Sequence, residues 1–97
     1  SYVRARGKSI KSTNVETLYR LVEGKVEALE FLIRQECEYT DVPLKELPTK
    51  PEYLIACIGR KGRIIIPGGD DRIQAGDSVV IVTTERGTED LREMFRR

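Results

Sequence analysis

The sequence predicts a small α+β domain, a β-sheet with short helices packed on it. Three observations carry that expectation. Tyr53 to Thr84 holds three apolar, β-branched runs separated by Gly- and Asp-rich breaks, the pattern of strands joined by shaped turns. Segments 41–47 and 88–97 carry helix start and stop signals. The chain has 97 residues, one domain near the lower end of comfortable size.

The elements follow in chain order. Ser1 to Lys11 carries Arg4, Arg6, Lys8 and Lys11 and no acid. It reads as a basic patch for phosphate or anionic lipid, or as a solvated linker. Aromatic interleaving is limited to Tyr2, which favours the linker. Asn14 to Val22 admits two readings. Val15, Leu18, Tyr19 and Val22 make a helical stripe with Asn14 as N-cap, while Val15, Thr17, Tyr19 and Leu21 alternate as in a strand. As a strand it leads through Glu23-Gly24 into a hairpin with Val26 to Arg34, where Leu29, Phe31 and Ile33 share a face.

Asp41 to Leu47 is a helix candidate, with Asp41 as cap, Pro43 in the first turn and Pro48 as stop. Leu54 to Gly59 and Arg63 to Ile66 form a hairpin around Arg60-Lys61-Gly62, Gly62 supplying positive φ. Pro67 ends the second strand or leaves it at an edge. Ala75-Gly76-Asp77 is a tight turn in which Asp77 bonds nearby amides. Ser78 to Thr84 is the third strand of the run. Val79 to Val82 are all apolar, so both faces should be covered, one by a helix and the other by a dimer partner. Thr88 to Arg97 is a terminal helix with Thr88 as N-cap and Leu91, Met94 and Phe95 as its apolar stripe.

Composition narrows the function. Hydrophobic residues are 39% and charged residues 34%, as in a folded domain rather than a disordered one. Lys plus Arg number 17 against 16 Asp plus Glu, a net charge of +1, where a nucleic-acid binder needs a strong basic excess. No apolar run approaches the ~20 residues of a membrane span, so no direct membrane insertion is expected. Cys37 and Cys57 in a chain without His make neither a metal set nor a secreted disulfide framework, and are read as reduced thiols in or near a core.

Catalytic options are few. Without histidine, Ser/His/Asp and Cys/His arrangements are excluded within this chain. Asp70 and Asp71 can hold a divalent cation only if other oxygens converge, and loop aspartates usually form turns. Gly59 to Gly62 and Gly68-Gly69 can cradle phosphate through backbone amides, with Arg60, Lys61, Arg63 and Arg72 nearby, but neither matches a nucleotide-binding fingerprint. Solvated turn charges explain them equally well. No enzyme activity, cofactor or metal is expected.

An ordered set of segments carries a family signal: VEALEFLI (26–33), PLKEL (43–47), LIACIGRKGRIIIPGGDDRIQAGDSVVIV (54–82) and EDLREMF (89–95). Together they resemble the C-terminal regulatory domain of TrkA-type potassium-uptake proteins, the RCK C-terminal domain. The resemblance spans Val15 to Phe95. It implies an α+β fold with a mostly antiparallel (mixed) sheet that forms homodimers, occupying 15–97, with 1–14 as the connector from a missing N-terminal Rossmann domain. The start at Ser rather than Met fits a piece of a longer protein. The implied setting is cytoplasmic, peripheral to the inner face of the membrane through a potassium transporter subunit.

In some relatives paired domains bind cyclic di-AMP at their interface. By position, the resemblance places such a ligand on hairpin 54–67, with Leu54, Ile58, Ile64 and Pro67 against adenines and Arg60 against phosphate. The plainer alternative makes Leu54, Ile58 and Ile64 core or dimer residues. The remaining alternatives are a structural assembly domain without a ligand, the same domain on another cation transporter or antiporter, and a small enzyme or metal binder using Asp70, Asp71 and Asp77.

Overall fold

The computed structural model describes residues 2–4 and 13–96. Among them, six strands form one sheet: β1 (Tyr2–Arg4), β2 (Thr13–Leu21), β3 (Val26–Ile33), β4 (Tyr53–Arg60), β5 (Arg63–Ile65) and β6 (Ser78–Thr83). Their spatial order is β1-β2-β3-β6-β4-β5. Every strand pair is antiparallel. The only parallel pairing among the described residues is the isolated bridge Thr40–Ile73, so the mixed character expected of the sheet is confined to that bridge.

The ambiguous segment 14–22 is strand through Leu21, and Val22 opens the turn. It pairs with β3 through Leu18–Leu29, Tyr19–Ala28 and Leu21–Val26, but a register shift between Val15 and Thr17 puts Val15 on the opposite side from Thr17, Tyr19 and Leu21, so the expected alternation holds only from Thr17; the sheet partner decides what the local pattern left open. The expected boundary after residue 14 falls inside β2, and Tyr2–Arg4 lies beside it as an edge strand. The basic residues Arg6, Lys8 and Lys11 lie outside the described residues.

The period of two sorts each strand into a core side and an open side. Rows of cross-strand neighbours run through the core side: Val15–Phe31–Val79–Ile58 and Leu18–Leu29–Ile81–Ile55. Phe31, Val79, Ile58, Leu29 and Ile81 are buried there. No regular helix covers them among the described residues. Three irregular segments do, bringing Tyr39, Leu44, Leu47, Ile73, Leu91, Met94 and Phe95 onto the sheet. Each fully buried apolar side chain of this kind contributes about 1.5–3 kcal/mol.

The helix expectations therefore need correction. In 41–47 only a 3-10 turn forms, Leu44–Glu46. Asp41 does not cap it. Asp41 has φ 58° and donates its N–H to the Ile73 carbonyl, while the Leu44 and Lys45 amides bond the Asp71 and Gly69 carbonyls. The loop takes the donors that a helix would have used. In 88–97 the turn is Leu91–Met94, and its cap is Asp90 rather than Thr88. The Asp90 carboxylate accepts from the Arg92 amide, and Glu93 accepts from the amides of Glu89 and Asp90, a capping box. The helix stops because Phe95 turns extended and bridges Thr49, with the Arg96 amide bonding the Pro48 carbonyl. Thr88 pairs instead with the Tyr53 hydroxyl at 2.9 Å.

Candidate functional site

The β4–β5 hairpin closes through Lys61 (φ 52°) and Gly62 (φ 77°). Two consecutive positive φ values between the paired Arg60 and Arg63 make the tight turn whose twist suits a hairpin, with glycine at its second position. The hairpin distributes the residues singled out for a ligand. Ile58 is 0% exposed and sits in the core, so it is packing rather than surface. Leu54 and Ile64 are 64% and 72% exposed. By register with Val82 and Gly59 they lie on the open side of the sheet.

Arg60 is held. Its Nε donates to Asp77 Oδ1 at 2.9 Å and its Nη2 to Asp77 Oδ2 at 2.8 Å, while Nη2 also reaches the Arg72 carbonyl at 2.7 Å. Asp77 is 1% exposed. The expected turn at Ala75-Gly76-Asp77 is present. Gly76 has φ 94°, and Asp77 Oδ2 accepts from the Gln74 amide. The hydrogen bond to Asp77 does most to hold the Arg60 guanidinium above its ordinary pKa; burial opposes it, and the charge of Asp77 adds a smaller upward effect. The clamp ties the hairpin end to the turn before β6. Ile33 donates to the Asp77 carbonyl and Gly76 to the Ile33 carbonyl, which extends the tie to β3.

Beside the hairpin lies a cavity of about 330 Å³ lined by Leu54, Ile55, Pro67, Leu44, Lys45 and the Gly68-Gly69 backbone, among others. Leu54 and Ile55 point to opposite faces of β4, so the cavity runs along the strand edge beyond the end of β5. Of the five expected ligand residues, Leu54 and Pro67 line it; Ile58, Arg60 and Ile64 do not. Sequence reasoning missed Leu44 and Lys45 as cavity walls. Their signal was the Leu44/Leu47 spacing, read only as an anchor to the sheet. The wall is tight, since a Cβ on Gly69 would come within 3.1 Å of Lys45 Cβ.

The paired aspartates take structural partners. Asp70 meets Lys45 Nζ at 2.7 Å, and Asp71 accepts from the Gly68 amide at 2.6 Å. With Asp77 held by Arg60, these three carboxylates serve separate contacts, and no cluster of three metal-ligating residues occurs among the described residues. Cys37 and Cys57 are not bonded to each other. A wider groove of about 1030 Å³ lies between Tyr39, Pro48, Lys50, Phe95 and the last turn. Of its three acids, Asp90 and Glu93 form the capping box, and Arg92 is paired with Asp90 and, at 4.0 Å, with Glu38. No described helix is long and apolar enough to cross a membrane.

The family model of the TrkA-C domain matches residues 28–96. Among curated proteins the chain is similar to "Trk system potassium uptake protein trkA homolog 1" of Methanosarcina mazei, 36% identical over 73 residues, covering 75% of this chain and 18% of that protein. It is also similar to "Trk system potassium uptake protein TrkA homolog" of Archaeoglobus fulgidus, 35% identical over 72 residues, covering 74% of the chain and 16% of that protein. A protein of the same description from Pyrococcus abyssi is 29% identical over 72 residues, covering 73% of the chain and 32% of its own length. The chain thus spans a third or less of each of these relatives.

Proposed function

The chain belongs to the TrkA-C domain family, and from that premise we propose that it is a non-catalytic, cytoplasmic regulatory domain of a potassium-uptake system, acting as a homodimer. The match over 28–96 carries the reading. The charged groups with the chemistry for catalysis, Arg60, Asp70, Asp71 and Asp77, serve internal contacts, which supports a binding role over a catalytic one. The longer protein would supply an N-terminal Rossmann domain and dock on a membrane transporter subunit.

Cyclic di-AMP is the proposed ligand. The cavity formed by Leu54, Pro67 and Leu44 supports it, because apolar walls with a few polar groups suit a nucleobase. Ile64 extends the apolar surface on the open side, while Ile58 supports it from the core. A phosphate would meet Arg60 through Nη1 or by opening the clamp, since Nε and Nη2 are engaged. Titration calorimetry tests the ligand: heat at micromolar cyclic di-AMP, abolished by Leu54→Lys, is expected, and no heat at high micromolar ligand sinks it. The engagement of Arg60 and the burial of Ile58 favour a second reading, an assembly domain with no ligand of its own. A stable dimer whose melting no nucleotide shifts would establish that reading. Attachment to another cation transporter or antiporter remains the alternative setting.

A further inference from the structure

The groove against the last turn holds two cations that the fold leaves unpaired. Segments 48–50 and 94–96 run antiparallel. Thr49 faces Phe95, the Lys50 amide donates to the Met94 carbonyl at 2.8 Å, and the Arg96 amide donates to the Pro48 carbonyl at 2.6 Å. That register sets Pro48 opposite Arg96 and Lys50 opposite Met94. With a period of two, Lys50 and Arg96 leave the same side of the ladder as diagonal neighbours about 7–8 Å apart. Both line the groove, whereas Thr49, between Pro48 and Lys50, lines the other cavity. Neither Lys50 nor Arg96 forms a side-chain hydrogen bond or ion pair among the described residues.

The acids of the groove are engaged elsewhere. Asp90 accepts from the Arg92 amide and pairs with its guanidinium, and Glu93 accepts from the amides of Glu89 and Asp90. Glu38 faces Arg92. The charge on offer to an incoming molecule is therefore the Lys50 ammonium and the Arg96 guanidinium, which favour an anion between them. The floor beside them is apolar. Tyr39 is buried, and its ring meets that of Phe95 at 5.4 Å between centroids, the planes tilted by 36°. Leu47 and Pro48 add to this lining. Its volume of about 1030 Å³ stands at the upper end of small-molecule sites, and an apolar floor with a few convergent polar groups is their usual composition.

We propose that this groove binds a small organic anion. A flat apolar body lies on the Tyr39–Phe95 floor, and its phosphate or carboxylate sits between Lys50 and Arg96. The site is separate from the cavity proposed for cyclic di-AMP, with which it shares no lining residue. Titration of the isotope-labelled chain, followed through its amide resonances, tests it. Naphthyl phosphate and naphthoate are the probes. Saturable shifts at Lys50, Phe95 and Arg96 with a sub-millimolar Kd are expected for at least one of them, and the tighter one tells phosphate from carboxylate recognition. Inorganic phosphate and naphthol carry only the charge or only the ring, and each should bind at least about 10-fold more weakly. Lys50→Met and Arg96→Met, each removing one charge-assisted contact, should weaken binding by about 10-fold with unchanged circular dichroism. Lys25→Met, in the β2–β3 turn, should not. Added salt should weaken binding to the unaltered chain, a readout that needs no variant. Absence of saturable shifts at 48–50 and 94–96 with either anion at millimolar concentration would overturn the proposal. So would naphthol binding as tightly as the anions, or an affinity unchanged in both folded variants.

Discussion

Arg60 and Asp77 form a two-pronged ion pair that joins the end of the β4–β5 hairpin to the turn entering β6. The acid is buried and the base is only partly exposed. Removing the base strands a carboxylate that also orders the Gln74 amide. Arg60→Met should lower unfolding stability by about 2–4 kcal/mol in urea. Arg60→Lys should recover only part of this, because an ammonium cannot fork. An unchanged midpoint for Arg60→Met would show the pair to be incidental.

The same pair predicts a flat pH response. Its partner raises the Arg60 pKa above the ordinary guanidinium value. A raised folded-state pKa gives stability that is fully present below the unfolded value and lost only as pH climbs past the folded one. The stability gap between the unaltered chain and Arg60→Met should therefore stay constant from about pH 7 to 10. A gap that closes over that interval would point to a different titrating group.

Val22 sits at φ 52° in the β2–β3 turn and is largely exposed. A β-branched residue is strained in the left-handed region. Val22→Asn should raise stability by about 1 kcal/mol, or roughly 4–8 °C in melting temperature for a domain of this size. A lower melting temperature would mean that the exposed Val22 side chain is making a contact worth more than the strain.

The buried Tyr53–Thr88 hydroxyl pair fastens the segment after β6 to β4. Tyr53→Phe and Thr88→Val should each cost about 1–2 kcal/mol by leaving the other hydroxyl unpaired. The double variant should cost less than the two together, and the coupling from the cycle measures the bond. Strict additivity would remove it from the account.

The sheet was legible where the pattern was strong. The β4–β5 hairpin and the Gly76-Asp77 turn follow from residues whose local chemistry leaves little choice. The helices were not legible, because long-range partners decided them: Gly69 and Asp71 draw off the Leu44 and Lys45 amides, and Pro48 and Thr49 pull Phe95 and Arg96 into extended pairing. Apolar Val79 to Val82 pointed to cover on both faces, and the chain covers one. The sequence marked out the hairpin but not which of its side chains face outward. Leu54 and Pro67 reach the same cavity, but a sequence cannot show that Ile58 turns inward or that Arg60 is held by an acid 17 positions away.

Potassium uptake reads the regulatory role of the domain. In cells whose uptake depends on a protein containing this chain, uptake kinetics would be compared with and without residues 28–96, the segment matched to the family. A regulatory domain predicts that its removal changes the rate, or its response to conditions, while the transporter remains in the membrane. Identical uptake under every condition would contradict the account.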